Sequence, residues 1–125
     1  MDPLIAQLQR LLPANNVIGG AEALRVYECD ALSAYRVIPR CVVLPETVAQ
    51  IQAVLRLCHT EQVPVVARGA GTGLSGGALP AADGIILGLA KFDQILALDP
   101  LQRIARVQPG VRNLSVSEEI GRAHV

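Results

Sequence analysis

Ten residues in the middle of the chain, Arg68-Gly69-Ala70-Gly71-Thr72-Gly73-Leu74-Ser75-Gly76-Gly77, hold five of its eleven glycines. Glycine lacks a Cβ, so such a segment adopts left-handed backbone angles and lets a ligand come close to the main chain. Successive N–H groups in turns of this kind form a concave nest that favours anions. Thr72 and Ser75 add hydroxyl donors, and Arg68 adds a fixed positive charge. The chemistry these residues suit is the binding of a phosphate or pyrophosphate. A sharp turn with no ligand is the alternative.

Spacing narrows the choice of nucleotide loop. A Walker A loop needs Gly-x-x-x-x-Gly-Lys-Ser/Thr. Gly71 and Gly76 have that separation, but Gly77 and Ala78 stand in place of the Lys and the hydroxyl. Triphosphate chemistry is therefore disfavoured. Gly71-x-Gly73-x-x-Gly76 matches the dinucleotide pattern, yet a Rossmann loop must also open a helix. Pro80, Asp83 and Gly84 follow instead, and the next apolar run begins at Ile85, which leaves no room for one.

The loop needs elements to position it. Asp2 can cap a helix whose first residue is Pro3, with Leu4, Leu8, Leu11 and Leu12 on one face. Pro13 stops it, and Asn15, Asn16, Gly19 and Gly20 predict a loop, with a short helical turn near Ala21 to Leu24. Cys41 to Leu44 is a buried strand ended by Pro45. Thr47 and Gln50 have the spacing of a capping box, and Ile51, Val54, Leu55 and Cys58 define a helix face that runs to about His59 or Thr60. Val63 to Ala67 is a second strand, with Pro64 at its start or on an edge. Strand, helix, strand with short loops is a βαβ unit, so the two strands should run parallel with a right-handed crossover. The glycine loop then leaves the C-terminal end of a parallel strand, where open α/β sheets place their ligands. Ile85 to Leu89 is a third strand, Ile95 to Leu98 and Arg103 to Val107 form a hairpin turned at Asp99-Pro100, and Val111 to Ile120 begins a helix containing Leu114.

Composition excludes several classes. The 125 residues suit one domain, 51% are hydrophobic, and eleven Lys+Arg balance eleven Asp+Glu. With no basic run and only Tyr27, Tyr35 and Phe92 as aromatics, neither an electrostatic nor a stacking nucleic-acid surface is present. No apolar run approaches the ~20 residues of a membrane span. Cys29, Cys41 and Cys58 are odd in number and widely spaced, so they are packed thiols in a reduced, cytosolic chain, and no metal site is expected. His59 suits a helix C-terminus, and His124 has no role. Arg103, Arg106 and Arg112 belong to a solvated face, and Asp30 and Tyr35 to local capping and packing.

The segment from Arg68 to Pro80 resembles the pyrophosphate loop of the FAD-linked oxidases with a vanillyl-alcohol-oxidase-type (PCMH-type) flavin domain. Tyr27 to Tyr35, Val63 to Val66 and Ala105 to Leu114 are similar, more narrowly, to the FAD-carrying subunits of bacterial glycolate oxidases. The resemblance covers roughly Leu4 to Ser117 and implies an α+β fold, the βαβ-containing first subdomain of a PCMH-type FAD-binding domain. Residues 1–38 would form an N-terminal helical segment, and residues 39–125 the first part of the FAD-binding domain. By position, the pyrophosphate role falls on Arg68, Gly69, Ala70, Gly71, Thr72, Gly73, Leu74, Ser75, Gly76 and Gly77. Pro45 stands where the family packs against the adenine side, and Gly110 matches a position close to the flavin. Relatives with a covalent flavin use a His near this loop, which has none here, so non-covalent FAD is expected.

The resemblance further implies a flavin-dependent dehydrogenase that oxidises a small 2-hydroxy acid, glycolate or D-lactate, by hydride transfer to FAD. Electrons would pass to an iron–sulfur partner subunit, in a cytoplasmic protein held at the inner membrane through partner subunits. Catalytic residues are expected in parts of the family fold that this chain lacks, so the isolated chain is expected to be an inactive fragment. Two other functions fit the residues: a non-catalytic phosphate- or nucleotide-binding module, and a fragment that binds nothing and exposes an apolar face.

Overall fold

The structure, a computed structural model, describes residues 2–28, 36–70 and 76–123. Helix α1 spans Pro3–Leu11. Asp2 caps it as expected, its Oδ1 accepting from the Leu4 N–H at 3.0 Å, with Pro3 in the first turn where no N–H is needed. Leu4, Leu8 and Leu12 are buried, and Leu11 packs partly buried beside them. Asn15 to Gly20, expected as a loop, holds more structure than that. A 3-10 turn covers Ala14–Asn16, and strand β1, Val17–Ile18, follows. Two β-branched residues suffice because β1 needs only to lie along the edge of an existing strand. Helix α2 is the short turn Ala21–Leu24, followed by a 3-10 turn over Arg25–Tyr27.

Strand β2 is Cys41–Val43, and helix α3 is Val48–Thr60. Thr47 Oγ1 accepts from the Gln50 N–H at 3.1 Å. The reciprocal half of the box is displaced by one residue, since Gln50 Oε1 accepts from the N–H of Glu46 at 2.8 Å. Val54 and Cys58 are buried, Ile51 is half-buried, and Leu55 lies at the solvent margin of the stripe, 44% exposed. The helix ends where the Val63 N–H reaches back to the Cys58 carbonyl at 2.8 Å, with Gln62 at φ 56°. That is the left-handed helix stop, here without a glycine.

Strand β3 is Val65–Arg68, shifted from the expected 63–67 because Pro64, which has no N–H, precedes the ladder. Strand β4 is Ile85–Gly88. The sheet order is β1-β2-β4-β3, with β2 and β3 both parallel to β4 and β1 antiparallel to β2. The two strands of the βαβ unit are thus parallel, but β4 is inserted between them. Burial explains the order: all four residues of β4 are buried, whereas β3 is mostly half-exposed and takes the edge.

Side chains alternate across this sheet. Cys41, Val43, Ile85 and Leu87 face α1 and α3 in the larger core, while Val42 and Ile86 pack with Leu24 on the other side. Leu8 is fully buried, and burying such a side chain contributes ~1.5–3 kcal/mol. Arg40 ties α1 to the start of β2 through Asp2, Nη2 to Oδ1 at 2.9 Å and Nε to Oδ2 at 3.1 Å. That pairing, together with the Leu4 N–H, holds the Asp2 carboxyl below its usual range.

Strands β5, Ile95–Asp99, and β6, Ile104–Val107, form a separate antiparallel ribbon, and helix α4 spans Asn113–Ala123. Asp99 Oδ1 accepts from the Gln102 N–H at 3.1 Å in the turn, as its place before Pro100 predicts. Among the described residues no helix is long and apolar enough to cross a membrane, and no cluster of His, Cys, Asp or Glu is arranged to hold a metal ion.

Candidate functional site

The parallel strands β2, β3 and β4 deliver their C-terminal ends to one edge of the sheet. Pro45 follows β2, Gly69 and Ala70 follow β3, and Leu89 to Phe92 follow β4. The turn after β4 is held by the Leu89 N–H donating to the Arg68 carbonyl at 2.9 Å and the Phe92 N–H donating to the Leu89 carbonyl at 3.0 Å. Gly110 packs on this turn. Its N–H donates to the Phe92 carbonyl at 2.7 Å. A Cβ on Gly110 would collide with the Leu89 carbonyl and lie 2.6 Å from the Phe92 oxygen, so only glycine fits.

This packing opens a cavity of about 840 Å³, within the usual ~300–1,000 Å³ of small-molecule sites. Gly69 and Ala70, where the glycine loop begins, form one wall, and Pro109 and Gly110 another. Among the described residues, a Cβ on Gly69 meets no atom within 4 Å, which leaves the main chain there open to a ligand on that side. Asp93, Arg112, Asn113 and Ser115 supply polar groups, the last three at the start of α4. Asp93 accepts from Gln94 Nε2 at 2.9 Å.

Three of the expected site residues, Gly69, Ala70 and Gly110, thus line one cavity although far apart in sequence. Gly71, Thr72, Gly73, Leu74 and Ser75 lie outside the described residues, as do Cys29, Asp30 and Tyr35. Gly76 takes φ +78°, the left-handed angle a glycine loop is built to allow, and its carbonyl accepts from the Leu79 N–H at 3.1 Å. Gly77 is exposed, and a Cβ there would meet no atom of the described residues within 4 Å. Pro45 is fully buried at the end of β2. Arg68 is 9% exposed, and its guanidinium lies over the Tyr27 ring at 5.3 Å, with Nη2 reaching the Val26 carbonyl at 3.5 Å. Neither Pro45 nor Arg68 is part of the cavity wall.

Asp93, Asn113 and Ser115 stand out by no motif in the sequence, and by sequence Arg112 belongs to a solvated face. Their sequence signal is weak: Asp93 precedes a strand, Arg112 and Asn113 follow the Pro109-Gly110 break, and Ser115 lies in the first turn of α4. Outside the cavity, Glu46 pairs with Lys91 Nζ at 3.2 Å, linking the segments after β2 and β4. Lys91 holds the Glu46 carboxyl below its usual range, with Asn16 adding to the effect. The Asn16 Nδ2 itself is buried without a hydrogen bond of good geometry.

The family described as FAD binding domain matches residues 39–125. The chain is 50% identical over 117 residues to the glycolate oxidase subunit GlcD of Escherichia coli (strain K12), which covers 94% of this chain and 23% of that protein. It is 32% identical over 111 residues to the D-2-hydroxyglutarate dehydrogenase of Stutzerimonas stutzeri (strain A1501), covering 88% of this chain and 24% of that protein. The crystal structure of p-cresol methylhydroxylase with substrate bound superimposes with a TM-score of 0.84 at 25% identity, over 97% of this chain and 24% of the other. The chain therefore spans about a quarter of the length of these proteins. Among the described residues between β3 and β4 there is no helix, which sets this fold apart from the Rossmann type, and the chain belongs to the FAD-binding domain family.

Proposed function

We propose that the chain is the FAD-binding part of a flavin-dependent dehydrogenase that oxidises a small 2-hydroxy acid, such as glycolate, to the 2-oxo acid. The observation that carries this reading is the cavity at the C-terminal end of β3, where Gly69 and Ala70 face Pro109 and Gly110. The donor set suits a dinucleotide: open main chain at the start of the glycine loop, a close-packed glycine opposite, and polar side chains at the start of α4. In this reading the N–H groups of the loop from Gly69 to Gly77 hold the pyrophosphate. Gly110 and the turn it packs on shape the wall on the flavin side, and Pro45 lies toward the adenine. Arg68, stacked on Tyr27, acts by fixing the strand from which the loop departs. When bound, FAD supplies an acceptor for the substrate's α-hydrogen as a hydride.

With no His in the loop, the flavin is dissociable. Residues 39–125 carry the cofactor, while residues 1–38 supply α1 to the core beneath the sheet and β1 to its edge. The names of the two relatives support the 2-hydroxy-acid class. An iron–sulfur partner subunit, and a cytoplasmic position held at the inner membrane through partner subunits, complete the reading. Titration of the purified chain with FAD, followed by flavin fluorescence, tests it. Wild type should bind saturably and Gly73→Val at least tenfold more weakly, with unchanged circular dichroism. Absence of binding by the folded wild type would refute FAD binding by this chain alone.

A further inference from the structure

Main-chain N–H groups offer a phosphate hydrogen bonds but no full charge, and a bond from a cation is roughly twice as strong. Three cations lie in the segments that surround the cavity: Arg68 at the end of β3, Lys91 after β4 and Arg112 just before α4. Two of them are engaged elsewhere. Arg68 is buried, its guanidinium over the Tyr27 ring at 5.3 Å and its Nη2 toward the Val26 carbonyl. Lys91 Nζ pairs with Glu46 Oε1 at 3.2 Å. Neither lines the cavity. Arg112 does, together with Gly69 and Ala70. It is exposed, and among the described residues it pairs with no carboxylate.

The main chain around Arg112 is fixed on both sides. Before it, the Gly110 N–H donates to the Phe92 carbonyl at 2.7 Å and the Val111 N–H to the Gln108 carbonyl at 3.2 Å. After it, the Arg112 carbonyl accepts from the Ser115 N–H at 3.0 Å in the first turn of α4. Only the side chain is left to meet a ligand. Asp93 is the carboxylate of the same wall, and it accepts from Gln94 Nε2. A carboxylate repels phosphate but accepts from hydroxyls, so this wall suits a ligand with an anionic part beside a hydroxyl-bearing one. We propose that Arg112 is the cation that holds the diphosphate of the bound dinucleotide, in the role that residue type alone would give to Arg68. Its guanidinium donates a pair of hydrogen bonds to phosphate oxygens across the cavity from Gly69 and Ala70. The identity of the dinucleotide rests on the flavin reading, whereas the preference for a diphosphate follows from the wall itself.

Two probes test this on the intact chain: FAD, followed by flavin fluorescence, and inorganic pyrophosphate, followed by calorimetry. Arg112→Gln should weaken both by about tenfold or more, because a charge-assisted contact is lost. Raising NaCl from about 20 mM to about 300 mM should weaken FAD binding by wild type several-fold, and by Arg112→Gln far less. The melting temperature should move by no more than about 2 °C, since the side chain is exposed. Arg112→Lys keeps the charge and should recover most of the pyrophosphate affinity. Arg106→Gln removes the same charge from an exposed position of β6 outside the cavity and should bind both probes like wild type. FAD binding by Arg112→Gln at the wild-type affinity overturns the proposal and leaves the flavin reading intact. A loss confined to FAD, with pyrophosphate unaffected, overturns it too, as does an equal loss in Arg106→Gln. Pyrophosphate binding that Arg112→Gln abolishes, in a chain that takes up no FAD, supports it and refutes the flavin reading. A folded wild type that binds neither probe overturns both.

Discussion

Replacing Gly110 by Ala separates the packing role of the cavity wall from its ligand role. The added methyl would lie 2.6 Å from the Phe92 oxygen and 3.1 Å from the Phe92 carbonyl carbon, and nearer still to the Leu89 oxygen. All three are backbone atoms, so no rotamer change relieves the contact. The turn must retreat by roughly 0.5–1 Å to restore van der Waals separation. It is tied at Leu89 to Arg68 and at Phe92 to Leu89 and Gly110, and Phe92 is 6% exposed in the interior. Overpacking of this kind costs ~1–3 kcal/mol, and a strained hydrogen bond adds about 1 kcal/mol. The expected loss is about 2–4 kcal/mol, a fall of roughly 8–15 °C in melting temperature.

Gly69→Ala is the matched control. It lines the same cavity, but its methyl meets no atom of the described residues. Stability should stay within about 0.5 kcal/mol of wild type, while FAD affinity falls at least tenfold because the methyl occupies ligand space. Urea unfolding and flavin-fluorescence titration on both variants check the pair. If Gly110→Ala unfolds at the wild-type denaturant midpoint, the close packing is wrong. If Gly69→Ala binds FAD like wild type, the cavity is not the flavin site.

Acid should weaken the anchor of α1. The Arg40 hydrogen bond lowers the Asp2 pKa on folding, so the pairing's stabilisation is fully present above the unfolded carboxylate value of ~3.9. It is lost as the pH falls through the folded value. Asp2→Asn should flatten that part of the stability profile, as urea midpoints between pH 6 and pH 2.5 would show. Thr47→Ala removes the side-chain acceptor for the Gln50 N–H and should cost about 1 kcal/mol, measured by the same unfolding assay. Burial pushes the Cys41 thiol up to about 12 and raises Cys58 as well. In a Cys29→Ser background, a thiol reagent at pH 8 should therefore find no reactive cysteine in the native chain and two in urea. Fast labelling of the folded chain would contradict the packing of β2 against α3.

Much of this molecule is legible residue by residue. The Asp2-Pro3 cap, the Thr47 cap, the leucine stripe of α1 and the hairpin turn at Asp99-Pro100 depend on neighbours within a few positions. Side-chain reach and backbone angle settle such features locally. Strand β1 is not legible in this way, since Val17 and Ile18 carry no periodicity; only the edge of β2 makes them a strand. Leu55 and Gln50 show the same limit on a smaller scale: spacing placed them on the correct helix, but not the exposure of one or the backbone partner of the other.

The glycine loop, with its suitability for an anion, is written in residue type alone, because the absence of a Cβ is a property of each glycine wherever it lies. The insertion of β4 between β2 and β3 is not written there. It follows from competition for the most buried place in the sheet, which the all-buried Ile85–Gly88 strand takes. The turning of Arg68 toward Tyr27 likewise depends on a segment distant in sequence. So does the meeting of Gly69 with Gly110, since a cavity wall made from two remote strand ends exists only after both sheets have packed.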